Sequence, residues 1–326
     1  MLQNNSIGAQ FLLTFWEGLG IFYLIFKRVK GRGTMKLKNP VITDNSRSRD
    51  PFIVQHKGIY YSCYGGYSDK VVVTRFSTLD KIAEAEEKVV YKCDGSNAEN
   101  WYAPEMHFLN GRWYIYGAPN EQGSDCHTMQ ILGSKTDDPM SDYEYLGEIE
   151  GINGRWSIDG TLFYHKDKLY MSVAMGDLKI CEMESPTKIK TEPKTLITAD
   201  YEWERQMLPI VEGPAVLEKD GKLFMVYSAS DCRCDGYCLG LLTFKGGDVL
   251  NPDNWEKSPE PVFKSANGFF GPGHCSFTKS GNKDIIAYHA NTVSGSGPTG
   301  SYLCLGVFDW IDGKPYFDAP QKEVEF

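Results

Sequence analysis

Residues 159–174, "DGTLFYHKDKLYMSVA", decide the fold. An apolar run leads from Asp159 to the turn formers His165-Lys166-Asp167-Lys168, and a second apolar run leads away. That is the pattern of a buried β-hairpin. The same grammar returns in "DPFIVQHKGIYYSCYG" from Asp50, "APEMHFLNGRWYIYGA" from Ala103, "EGPAVLEKDGKLFMVYSA" from Glu212 and "GHCSFTKSGNKDIIAYHA" from Gly273. Each unit has a polar or small start, an apolar strand, a short turn rich in Gly, Asn, Asp and Lys, and a strand carrying rings and small residues. The starts fall 53, 56, 53 and 61 residues apart.

Five hairpin units at this period mean a repeat architecture. With four strands per unit, the expected fold is all-β, a five-bladed β-propeller. A β-sandwich is the runner-up, but it leaves the constant internal order of the units unexplained. "VVVTRFSTL" (71–79) and "LGLLTFK" (239–245) read as outer strands. "LDKIAEAEEKVV" (79–90) is the one helix candidate, with a loop as its alternative. Composition agrees: 13% aromatic, 33 Gly and 16 Pro in 326 residues favour short strands and many turns.

The net charge is −9, unevenly spread. Residues 1–38 hold six basic side chains and only Glu17 as an acid, so the rest carries −14. An acidic body argues against nucleic acid and suits a neutral ligand such as a sugar. Nine scattered cysteines read as free thiols rather than a disulfide framework. "CRCDGYC" (232–238) lacks paired CxxC spacing and a fourth ligand, so it reads as a thiol-bearing surface loop rather than a zinc site. Residues 1–34 form an apolar and basic extension, and residues 35–326 the propeller domain. "FLLTFWEGLGIFYLIF" (11–26) is short for a span, and "KRVKGRG" follows where a signal peptide would be cleaved. The expected location is the cytoplasm. Membrane anchoring through residues 11–26 is the alternative, and a real start at Met35 is a third reading.

In a propeller the first strand of each blade lines the central channel and begins at one mouth. Eight residues before the turn positions Gly58, Gly111, Asp167, Gly221 and Asn282 lie Asp50, Ala103, Asp159, Gly213 and His274. Glu212 lies nine back. Symmetry therefore gathers Asp50, Asp159 and Glu212 at one mouth. Three clustered acids repel one another. A glycosidase needs such a set: one carboxylate activates water, and one protonated acid serves the leaving oxygen. A third negative charge raises the acid's pKa. Taken singly, an acid before a strand is more often a turn former, so the inference rests on the shared register.

Trp101, Trp156 and Phe270 precede strand starts and are candidate sugar-stacking rings, with blade packing as the alternative for each. Glu105 shares the strand face of the eight-back position, and with His107 is a candidate for substrate hydroxyls. His274 is a candidate contact for a metal or water on the axis, or a satisfied core residue. His289 reads as structural.

At these residues the chain resembles glycoside hydrolase family 43. The resemblance covers nearly all of it after about residue 38 and rests on "RDPFIV" (49–54), "WYAPEMHFLNGRWYIYGA" (101–118), "WSIDGTLFYHKDKLYM" (156–171), "VEGPAVLEKDGKLFMVYSAS" (211–230) and "GPGHCSFTK" (271–279). "SKTDDPMSDYEYLGEI" (134–149) and "GLLTFKGGDVLNPDNWEKSPEPVF" (240–263) are similar to the branch holding exo-acting α-L-arabinofuranosidases on arabinan-type chains. The resemblance implies a five-bladed propeller and an inverting glycosidase. It implies Asp50 as general base, Asp159 as pKa modulator, Glu212 as general acid, and His274 as the axial histidine near a central ion, often calcium. No cofactor is implied for the chemistry itself. Two departures stand out. Cys275 follows the axial histidine where relatives often have Asn, and "GSYLCLGVFDW" (300–310) replaces an Arg-rich strand. They bear on which sugar is taken.

The leading expectation is release of terminal α-L-arabinofuranosyl units from arabinan or its oligosaccharides. A β-xylosidase or an enzyme with both activities is the near rival. A carbohydrate-binding propeller without catalysis is the rival from another class, although its usual mark, a missing acid, is absent. Inversion predicts about 6.5–9.5 Å between the Asp50 and Glu212 carboxyls.

Overall fold

The computed structural model describes residues 36–65, 69–93, 99–120 and 126–326. The expected extension over 1–34 and the apolar run 11–26 lie outside the described residues. Among those described, no helix is long and apolar enough to cross a membrane.

Five antiparallel sheets follow one another along the chain. Their first strands are Ile53–His56, Glu99–Leu109, Ile158–His165, Val211–Lys219 and Phe270–Ser280. Each sheet is ordered as the chain runs, with four strands per blade; blade three adds Lys194–Ile197. The first strands of blades two to five lie against one another in turn around the axis; that of blade five meets the first strand of blade one, and that of blade two meets blade one's second strand, Ile59–Tyr64. This is the five-bladed β-propeller that the repeat implied.

The hairpins form because their turns demand residues that tolerate positive φ. Lys57-Gly58, Asn110-Gly111, Lys166-Asp167 and Asp220-Gly221 all have φ between 49° and 82° at both positions. Two successive positive φ values define the type I′ turn, whose twist matches the flanking strands. The core then divides into five clusters, one at each interface between neighbouring blades. A single four-stranded sheet buries neither face alone, so each blade is completed by its neighbours. The segment read as a helix or loop divides: Leu79–Glu84 is a short 3₁₀ helix, and Glu86–Lys92 is the outer strand of blade one. Its Val89, Val90 and Tyr91 carry the β-propensity that prevails there.

Candidate active site

The five positions eight residues before the turns share one backbone conformation. Asp50, Ala103, Asp159, Gly213 and His274 have φ of 48°, 42°, 58°, 52° and 44°. In blades two to five the ladder slips at this point: between Tyr102 and Glu105, Ile158 and Thr161, Glu212 and Ala215, and Gly273 and Ser276. A left-handed residue in a bulge bends its strand and re-aims its side chain. The conformation costs an L-residue roughly 1–2 kcal/mol, least for Asp and Asn, whose short polar side chains bond locally. Strain of this kind persists where the surrounding fold over-determines it, and it clusters at functional sites.

The seats bring four predicted residues together. His274 Nδ1 lies 3.4 Å from Asp50 Oδ1 and 3.8 Å from Asp159 Oδ2. Asp159 Oδ2 accepts the Gly213 N–H at 3.0 Å. In blade four the seat itself must be glycine. A Cβ on Gly213 would lie 3.0 Å from Ser228 Oγ and 3.1 Å from His274 Nδ1, and Ser228 Oγ accepts the His274 N–H at 2.8 Å. The acid of this blade therefore comes from the preceding residue, Glu212. The Tyr237 hydroxyl donates to its Oε1 at 2.8 Å.

The electrostatics separate the acids. Burial pushes Asp50 up, but His274, Arg49 and His289 outweigh it and hold the carboxyl below its ordinary value. Glu212 is raised to about 7, by burial first and then by Asp159, while the Tyr237 hydrogen bond and His274 partly offset this. Burial also raises Asp159, against His274 and the Gly213 N–H. Those two contacts favour its ionised form, so the shared proton stays on Glu212. Burial disfavours the His274 imidazolium, yet Asp50, Asp159, Glu212 and Glu105 together raise its pKa. The mouth thus pairs a carboxylate that accepts protons with a carboxylic acid that still holds one near neutrality. That division of labour is the signature of general acid–base chemistry.

The other predicted residues fare differently. Trp101 is not a rim ring: it is fully buried in the cluster between blades one and two. It sits in a slot between Gly65 and Gly117, where an added Cβ would lie 2.8 Å from it on either side. Trp156 is 44% exposed and meets His127 edge-on, next to Tyr102. Phe270 is half-buried at the mouth end of its strand, in register with Asn291. Glu105 and His107 bond each other at 2.9 Å. Glu105 is buried, and the His107 ring packs on Phe52 and Tyr116.

The described residues on the axis do not form a complete ligand set for a metal. Among the described residues no group of three or more His, Cys, Asp or Glu is placed to hold one.

Two contributors escaped the sequence reading. The loop over 231–237 bears partly exposed thiols, as read, and does more. It brings Tyr237 onto Glu212 and Cys232 Sγ to 3.6 Å from an Arg49 guanidinium nitrogen. The signal lay in "GPGH": a Cβ on Gly273 would lie 2.1 Å from the Tyr237 ring. Two glycines so spaced ask what large side chain they admit.

Comparison with known proteins points to one family. The model of glycosyl hydrolases family 43 matches residues 37–315. The extracellular exo-α-(1→5)-L-arabinofuranosidase of Streptomyces chartreusis is 31% identical over 272 residues, 78% of this chain and 82% of the relative. Its namesake from Streptomyces avermitilis is 33% identical over 297 residues, 83% of this chain and 61% of the relative. The crystal structure of an α-L-arabinofuranosidase from Lactobacillus brevis superposes with a TM-score of 0.80 at 33% identity, covering 87% of this chain and 97% of that one.

Proposed function

The chain belongs to glycosyl hydrolases family 43, and from that premise we propose that it releases terminal α-L-arabinofuranosyl residues from arabinan or arabino-oligosaccharides with inversion. The observation that carries the reading is the contrast between Asp50, held low, and Glu212, raised to about 7, around one channel mouth. The names of the relatives from Streptomyces and Lactobacillus support the choice of sugar.

Asp50, ionised, takes a proton from water as its oxygen attacks the anomeric carbon. Glu212 gives its proton to the glycosidic oxygen as that bond breaks. Asp159 supplies the negative charge that keeps Glu212 protonated until then, and Tyr237 holds Oε1 so that Oε2 is left to carry the proton. His274 balances the three acids and keeps Asp50 and Asp159 in place. The exposed Trp156 offers a ring face at the rim for the rest of the chain, while Glu105 and His107 support the channel wall. The chemistry needs no metal, and activity should survive dialysis against a chelator.

The test is hydrolysis of aryl α-L-arabinofuranoside and aryl β-D-xyloside by the full chain, with the anomer released read by NMR. Expected are faster turnover of the arabinofuranoside and initial release of the β-anomer. Dominant xyloside turnover would reassign the sugar. Retained sugar binding without turnover of either would leave a binding propeller. Asp50→Asn and Glu212→Gln should each nearly abolish turnover of the preferred substrate, and a mild effect of either would refute its role. The nine cysteines are scattered through the sequence without a disulfide-framework spacing, which supports a reducing compartment and hence the cytoplasm. The two Streptomyces relatives are named extracellular, so activity in the culture medium of the source cell would overturn that placement.

A further inference from the structure

His289 stands behind Asp50. It lies on the second strand of blade five, Lys283–Asn291, and is 2% exposed. Its Nε2 is 3.7 Å from Asp50 Oδ1 and, among the described residues, has no hydrogen-bond partner. Its Nδ1 bonds Ser301 Oγ. Burial first, then Arg49 and His274, push its pKa down to about 3, so the ring is neutral. A neutral imidazole carries one N–H. Beside an ionised carboxylate that proton belongs on Nε2, because a lone pair there would face negative charge. Ser301 suits this tautomer, since its hydroxyl can donate to Nδ1.

Ser301 also holds the segment that carries Asp50. Its carbonyl accepts a hydrogen bond from Ser48 Oγ at 3.0 Å, and Ser48, two residues before Asp50, is fully buried. One residue thus fixes both the ring and the chain that face each other.

We infer that His289, held by Ser301 in its Nε2–H form, is a positioning residue for Asp50: it holds Oδ1 and leaves the other carboxylate oxygen to the attacking water. The 3.7 Å separation is longer than a hydrogen bond. Catalytic contacts of this kind tighten when substrate binds. The groups that face Asp50 are His274 and His289 from blade five, Arg49 beside it in the chain, Asp159 and Glu212 across the mouth, and the Cys232 thiol, which burial keeps protonated. His289 differs from the two cations: its Nε2–H faces Asp50 without adding a full charge.

The inference rests on Asp50 being the base, and the experiment separates the two. kcat/KM against pH is measured with the full chain for the wild type, His289→Leu, His289→Gln and Ser301→Ala, with Asp50→Asn as control. Loss of a donor to the ionised form raises a carboxyl pKa. The acidic limb should therefore move up by about one pH unit in His289→Leu, and by less in Ser301→Ala, where the ring is only freed to turn. kcat should fall about tenfold or more in His289→Leu with KM little changed. His289→Gln, whose amide can reach the Nε2 position, should restore the limb. If His289→Leu does not fold, Ser301→Ala carries the test, since it keeps the carbonyl that Ser48 uses. An unmoved acidic limb in the folded variants overturns the inference. So does a Gln variant no better than Leu. Full activity in Asp50→Asn overturns the prior reading instead.

Discussion

Tyr237 and Asp159 act on the same proton with opposite signs. The Tyr237 hydroxyl donates to Glu212 and so favours its ionised form, lowering the pKa; Asp159 raises it by charge. Burial keeps Tyr237 itself protonated far above its ordinary value, so it is a constant donor. Tyr237→Phe should therefore move the basic limb of kcat/KM up from about 7, and Asp159→Asn should move it down. Both variants are read in one pair of pH profiles, and shifts in the same direction would refute the assignment. The three acids and His274 were legible in the sequence because the turn residues fix their register. Tyr237 was not, because it arrives on a connection whose path over the mouth has no periodicity to read. Trp101 was misplaced for a related reason. Position two before a seat does not say whether a ring points to the rim or into the neighbouring blade, and the slot between Gly65 and Gly117 appears only when the blades meet.

At the scale of the strand, the repeated element is a hairpin plus a left-handed seat. The sequence shows the hairpin plainly, since Asn-Gly and Asp-Gly announce their turns. It does not show the seat, which is a backbone state that Asp, Ala, Gly and His all adopt here. What selects each residue is the neighbour. Ala103 seats no acid and carries the strain without a functional return, so Ala103→Gly tests the strain directly. Relief of the Cβ clash, roughly 1–2 kcal/mol, competes with the entropy of a more flexible unfolded chain, about 0.4–1 kcal/mol. The expected outcome is unchanged or slightly raised thermal stability with activity retained. A large loss would mean the seat is not strained. Gly273→Ala should do the reverse. Its Cβ meets the Tyr237 ring at 2.1 Å, so the ring must leave, and the basic limb should rise as in Tyr237→Phe. A Gly273→Ala profile unlike that of Tyr237→Phe would show that the glycine serves packing alone.

At the largest scale the described propeller domain is a ring, and a ring has one seam. The chain closes between blades five and one, where Ile53, Tyr60, Phe76, Leu79 and Ile82 meet Ile285, Ala287, Leu303 and Leu305. Lys36–Lys38 pairs with Glu323–Glu325, tying the two ends of the described domain. Asn39 fastens this clasp: its amide donates to the Leu305 and Gln321 carbonyls, both at 2.7 Å, and its oxygen accepts the Leu305 N–H at 2.9 Å. The seam also runs through the catalytic mouth. Asp50 belongs to blade one, whereas His274 and His289 reach it from blade five. Asp159, Glu212 and Tyr237 all lie on blades three and four or the connection within blade four, away from the seam. Loosening the clasp should therefore disturb the base before the acid. Asn39→Ala removes three hydrogen bonds, worth about 1 kcal/mol net each, and should lower the melting temperature by several degrees. Its kcat/KM profile should show the acidic limb displaced upward while the basic limb stays near the wild-type position. The melt and the two limbs are measured on one preparation. A lowered melting temperature with both limbs moving together would mean that closure acts on the mouth as a rigid whole, and that the base is not specially exposed to the seam.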